Sequence, residues 1–246
     1  MAEGAAAGRT KLVVSLVLLV VALSVLVSLG TWQVRRLHWK EALIADIEAR
    51  RTMPPAPLSE VEATAARGED FEYRAVRVEG RFLNDRERHF FATFDGRTGY
   101  YVYTPFQLDD GRFLFVNRGF VPYEMKDPAS RREGLLEGRQ TVTGLARARL
   151  GGKPSWVVPD NDVAGDIFYW KDLSAMAASV GLAEENVVQL FVDADATPVP
   201  GGWPKGGVTQ IDLPNDHLQY AITWYGLAVV LLVISITAFL RGRKPE

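Results

Sequence analysis

Residues 12–29 read LVVSLVLLVVALSVLVSL, and residues 221–240 read AITWYGLAVVLLVISITAFL, with no charge inside either run. At ~1.5 Å of rise per helical residue, each is long enough to cross a hydrocarbon layer of ~30 Å. Two such runs at opposite ends of a 246-residue chain predict transmembrane helices over 12–30 and 221–240, with both termini on one side. The intervening residues 31–220 form an extramembrane domain of about 190 residues, a size that suits one hydrophobic core.

The flanking charges bear on orientation. Arg9 and Lys11 precede the first run, and Arg241, Arg243 and Lys244 follow the second; Arg35, Arg36, Lys40 and the more distant Lys205 mark the other side. The balance places residues 1–11 and 241–246 in the cytoplasm, mostly through the second helix. Ala22-Leu23-Ser24 offers a small-x-small cleavage site, but the apolar run continues to Leu29, longer than a usual signal h-region. A span starting this early leaves no room for an Arg-rich mitochondrial presequence. The expectation is a bacterial inner-membrane protein with its domain in the periplasm.

Composition removes several function classes. A formal net charge of −2 argues against nucleic acid, whose binding needs a clustered basic face. The chain has no cysteine, which rules out disulfide staples and thiolate metal sites and requires a self-sufficient core. G-x-S-x-G, H-E-x-x-H, S-x-x-K and the phosphate-loop pattern are all missing from the sequence. An anchored hydrolase would rest on scattered Asp, Ser and His residues alone.

The first helix keeps its period through Trp32, Arg35, Arg36, Trp39, Leu43 and Ile47, so it extends to about Arg51. Pro54, Pro55 and Pro57 then open a linker through Gly68. Strands are expected over 72–82, 89–94, 99–108, 113–121, 141–148 and 187–193, with a short one over 167–170 and a helix over 171–180. Asp95-Gly96-Arg97 and Asp109-Asp110-Gly111-Arg112 supply turns. The fold class is a membrane protein of α+β type, in which two terminal transmembrane helices flank a mainly antiparallel, barrel-like β domain with one or two small helices. PVPGGWPKGG at 198–207 reads as a stiff connector, and Asn215 after Pro214 as the cap of the second helix.

Each of the three histidines can be weighed. His89, between Arg88 and Phe90 at a strand start, reads as a surface residue, and His38 beside Trp39 as interfacial. His217 shares a helical stripe with Tyr220, Ala221, Trp224 and Ala228, which sets an imidazole at the water boundary above an aromatic shelf. Trp32, Arg35, Arg36 and Trp39 lie at similar height on the first helix. These residues fit an aromatic belt with snorkelling arginines. They also fit a cleft for a planar amphiphile with carboxylates, such as haem, with histidine on the iron and arginines on the propionates.

Several blocks resemble the Surfeit locus protein 1 family, the assembly factors of haem–copper cytochrome c oxidase. They are GTWQ at 30–33 with Arg35, Arg36 and Trp39-Lys40, then Tyr73-Arg74, VRVEGRF at 76–82, GYYVYTPF at 99–106 and VNRGFVP at 116–122. FYWKDL at 168–173, Gly201-Gly202 and HLQYAITWYGL at 217–227 complete the series, which runs nearly end to end. The resemblance implies a non-enzymatic factor that helps insert haem a into oxidase subunit I, with haem a synthase as a further partner. It also implies a haem contact at the histidine opening the second helix, here His217. On this basis His217 is the expected axial ligand, with Trp32, Tyr220 and Trp224 lining the ring and Arg35 and Arg36 on the propionates. The rival expectation is a scaffold that holds subunit I without haem, using the sheet edges and the VNRGFVP hairpin as its surface.

Overall fold

Among the described residues the fold comprises four α-helices, seven strands and five short 3-10 turns of helix. The computed structural model describes residues 2–209, 211 and 213–241, the side chains of 2–9 and 11 excepted. The tail 242–246 with Arg243 and Lys244, and the side chains of Arg9 and Lys11, therefore lie outside the described residues. The chain divides into two compact units, one of residues 1–46 with 212–246 and one of residues 47–211.

The first unit is a helix pair. Helix α1 (Ala2–Thr52) ends within a residue of the expected stop, where Pro54 and Pro55 cannot continue it. Helix α4 (His217–Arg241) carries the second apolar run. Both are long and apolar enough to cross a membrane. Leu18, Val20, Ile222 and Val229 are among many large aliphatic side chains left exposed on them, an apolar surface that suits lipid rather than water. Asn215 does not cap α4, because its Oδ1 has no hydrogen-bond partner among the described residues. The first helical bond runs instead from Tyr220 N–H to the Asp216 carbonyl, at 3.2 Å.

The second unit is a β barrel. Strands β1 (Ala56–Pro57), β2 (Ala75–Phe82), β3 (Arg88–Phe94), β4 (Arg97–Leu108), β5 (Phe113–Pro122), β6 (Gln140–Ala148) and β7 (Val187–Ala194) form one sheet in the order β1-β2-β6-β7-β5-β4-β3. A further antiparallel pairing of Gly80–Phe82 with Phe106–Leu108 joins β2 to β4 and closes the ring. Among the described strand ladders, β5–β7 and the short β1–β2 pair are parallel and the rest antiparallel. The predicted hairpin is present, Gln107 opposite Phe113, and so is the tight β3–β4 turn, with Asp95 and Gly96 at positive φ. Inward aliphatics of β2, β5, β6 and β7 fill one core cluster. Helix α3 (Leu173–Ser179), capped by Asp172 on Ala175 N–H, packs Leu173 and Met176 into a second with Phe115, Phe168 and Phe191.

Several expectations need correction. The 54–68 linker contains β1 and helix α2 (Leu58–Ala66), whose Leu58 and Val61 are buried in the barrel core. Tyr73 belongs to no strand; its φ of 63° lies in the left-handed region, so β2 starts only at Ala75. Residues 167–170 contribute isolated bridges rather than a strand. The 198–207 connector is pinned to the barrel by paired Phe120–Lys205 backbone bonds of 2.9 Å. Gly119, at φ 125°, lets that segment in, since a Cβ there would stand 2.0 Å from the Lys205 carbonyl oxygen.

Candidate functional site

Helix α4 opens on His217, and the imidazole turns toward α1, where Nδ1 lies 2.7 Å from Gln33 Oε1. A carboxamide oxygen only accepts, so in the neutral imidazole this contact places the proton on Nδ1 and the in-plane lone pair on Nε2. Metal-binding imidazoles are oriented in this way, by a partner on the nitrogen that does not face the metal. Gln33 is itself buried, at 8 % exposure, so its amide is held in place by packing.

The two helices are locked just below this contact. A Cβ on Gly30 would stand 2.9 Å from the Tyr225 ring, so glycine lets the ring lie against the α1 backbone. Thr31 Oγ1 and Tyr225 OH share a hydrogen bond of 3.0 Å. On α4, Ala221 and Ala228 are buried in the same seam. Small residues at these positions allow close helix approach, as packing in lipid requires. GTWQ and HLQYAITWYGL are thus the two halves of one helix–helix lock.

Trp32 presents its ring edge-on to His217, with centroids 6.5 Å apart and planes at 83°. Arg35 and Arg36 follow it at three and four residues, on the same face of α1. Both are exposed, and among the described residues neither forms an ion pair. The Arg36 guanidinium lies over the Trp39 ring at 3.8 Å. Tyr220 is exposed and Trp224 half-buried on α4. Hydrogen bonding and ring contact to His217 come from Gln33 and Trp32; Arg35, Arg36, Tyr220 and Trp224 make neither. Among the described residues the set presents one imidazole nitrogen without a hydrogen-bond partner, two guanidiniums without a carboxylate partner and flat apolar faces. Its missing member at the sequence level is Gln33, a polar residue that turns inward among outward-facing neighbours.

The other two histidines differ from each other. His38 is exposed beside Glu41, at 3.5 Å, as an interfacial residue would be. His89 is not on the surface: it is buried, with Nδ1 2.6 Å from Asp166 Oδ2. The carboxylate arrives from 77 positions away and offsets the cost of burying the ring.

The VNRGFVP block does not form an exposed surface. It lies on β5, which is paired on both sides and buried along nearly its whole length. Arg118 donates to Asn84 Oδ1 at 3.0 Å and to the Gly134 carbonyl, and packs over the Phe82 ring. Glu87 accepts from Arg118 at 3.4 Å and from Arg131 at 3.2 Å, all three side chains being buried. Burial pushes the Arg118 pKa down to about 10; Glu87 opposes the shift and the Arg131 charge adds to it. This cluster braces the fold.

A profile of the SURF1 family matches residues 20–229. The chain is 37% identical over 233 residues to Surfeit locus protein 1 of Rattus norvegicus, covering 88% of this chain and 72% of that protein. It is 37% identical over 232 residues to the Homo sapiens protein of the same name, covering 87% and 74%. The SURF1-like protein of Drosophila melanogaster is 33% identical over 219 residues, covering 81% and 69%.

Proposed function

Because the chain belongs to the SURF1 family, we propose that it is an assembly factor for haem–copper cytochrome c oxidase that holds haem a between its two helix ends and aids its insertion into subunit I. The protein is a carrier and not an enzyme. It sits in a bacterial inner membrane with residues 31–220 in the periplasm, and it works with subunit I and haem a synthase. The observation that carries this reading is the His217–Gln33 pair, which fixes the imidazole and leaves Nε2 available to iron.

The residues present fit the cargo. His217 supplies one axial ligand. Arg35 and Arg36 bring two guanidinium forks without carboxylate partners, suited to two propionates. Trp32, Tyr220 and Trp224 offer flat apolar faces to the macrocycle. The location fits as well, because haem a carries a farnesyl tail. At ~0.8 kcal/mol per buried CH₂, that tail favours hydrocarbon by roughly 10 kcal/mol, so a site at the membrane surface lets it stay in lipid. A single protein ligand also suits a carrier that must release its cargo.

The test is purification in mild detergent from cells that make haem a. Wild type is expected to carry a Soret band, and His217→Ala to lose most of it while the helix pair stays folded. An unchanged band in His217→Ala would remove the ligand assignment. A second reading, a scaffold that grips subunit I without haem, draws on the exposed loop around Trp156, which is 92 % accessible beside an exposed Val157. Haem-free protein from haem-replete cells that still co-purifies subunit I, and loses it in Trp156→Ser, would favour that reading.

A further inference from the structure

Within the unit of residues 47–211, three of the sequence blocks that the helical site leaves unused converge on one cavity. Tyr103 comes from GYYVYTPF, Asn117 from VNRGFVP and Lys171 from FYWKDL. The cavity measures about 160 Å³, and Phe90, Tyr101, Arg147 and Asp193 also line it. We propose that it binds a small monoanionic carboxylate, seated between the Lys171 ammonium and the Tyr103 hydroxyl.

The argument is a count of donors and acceptors. Asp193 is the one carboxylate in the lining, and it is already committed. Its Oδ1 accepts from Asn117 Nδ2 at 3.0 Å, and its Oδ2 accepts from Arg147 Nη1 and Thr209 Oγ1, each at 3.0 Å. Arg147 also donates from Nε to Glu72, at 2.6 Å, behind the cavity wall. Beyond these bonds the lining keeps donors on the Tyr103 hydroxyl, the Lys171 ammonium and the Arg147 Nη2. The Tyr103 hydroxyl is fully buried beside the Asn117 side chain, but makes no well-formed hydrogen bond among the described residues. The Lys171 ammonium has no carboxylate partner among them either; it faces the Tyr103 and Phe191 rings, 5.8 Å from each centroid. Burial lowers its pKa and the Arg147 charge adds to the shift, while Asp193 and Glu72 oppose it.

A site whose free donors outnumber its free acceptors favours an acceptor-only ligand, which describes a carboxylate. Asp193 and Glu72 disfavour a second negative charge, so a monoanion fits better than phosphate dianion. The volume equals about five waters at ~30 Å³ each, enough for an acid of acetate or pyruvate size. Phe90 and Tyr101, stacked with centroids 6.3 Å apart, wall the end where a methyl group would lie. This site stands apart from the haem reading, and neither needs the other.

The experiment uses the full chain in dodecyl maltoside and ¹³C-acetate as probe, with saturation transfer from protein aromatic protons as the readout. Acetate is expected to give a saturable signal, and acetamide, its neutral isostere, to bind at least tenfold more weakly. Lys171→Met should weaken acetate at least tenfold, and Tyr103→Phe several-fold. Lys171→Gln, which keeps donors but loses the charge, should behave like Lys171→Met with an unchanged melting curve. A non-saturable acetate signal, equal binding of acetate and acetamide, or unaltered affinity in the lysine variants would each overturn the proposal. The acetate–acetamide comparison requires no variant, so a misfolded mutant cannot stall the test. The Soret band of haem-loaded protein is read separately, so the two proposals can fail independently.

Discussion

An imidazole binds iron through one nitrogen, so the group on the other nitrogen sets its tautomer, its direction and its basicity. For His217, the proposed iron ligand, that group is Gln33. Gln33→Leu is expected to leave His217 in place but untethered, weakening haem about 10–100-fold; haem titration of detergent-purified protein measures it. Glu87 plays a structural part of the same kind. Glu87→Leu strands the Arg118 and Arg131 guanidiniums without their buried carboxylate, and a loss of about 3–5 kcal/mol is expected in urea unfolding. The stripe that singles out His217 is visible in the sequence because one helix carries all of it. Gln33 is not, because its partner is 184 positions away and nothing local separates an inward glutamine from an outward one. His89 misled for the same reason: Arg88 beside it suggests solvent, and Asp166, which makes burial tolerable, is remote in the chain.

The paired helices depend on a few small side chains. Gly30→Val would drive a branched side chain into the Tyr225 ring, an overpacking of about 1–3 kcal/mol that pushes α1 from α4. The expected result is less haem per protein at unchanged expression, read as the Soret-to-280 nm absorbance ratio, with recovery in the Gly30→Val, Tyr225→Ala double variant. Both long helices and most strands were legible from periodicity, since apolar runs and two-residue alternation are local signals. Helix α2 was hidden behind Pro54, Pro55 and Pro57, which promise a linker; Leu58 and Val61 fold into a short helix because the barrel gives them something to cover. The start of β2 slipped for the opposite reason. Tyr73 has good strand propensity, but its N–H bonds to the Ala146 carbonyl at 2.9 Å from a left-handed conformation.

On the scale of the whole chain, the β unit owns a complete core and the helix pair owns the proposed haem ligands. A chain trimmed to residues 47–211 is expected to unfold in one cooperative thermal transition, followed by circular dichroism, and to purify without haem. Haem in that fragment would contradict the helical site. The proposed topology is checked in the same protein: an alkaline phosphatase fusion within the β domain should be active, and one after Arg241 inactive.

The two long apolar helices and most of the strands were written in local pattern, because hydropathy and periodicity need no knowledge of distant residues. The closure of β2 onto β4, the Gln33 clasp, the Asp166 partner of His89 and the meeting of Tyr103 with Lys171 all depend on pairs far apart in the chain. Such pairs exist only once backbone hydrogen bonds and side-chain volumes have been satisfied together, and that is a property of the folded molecule.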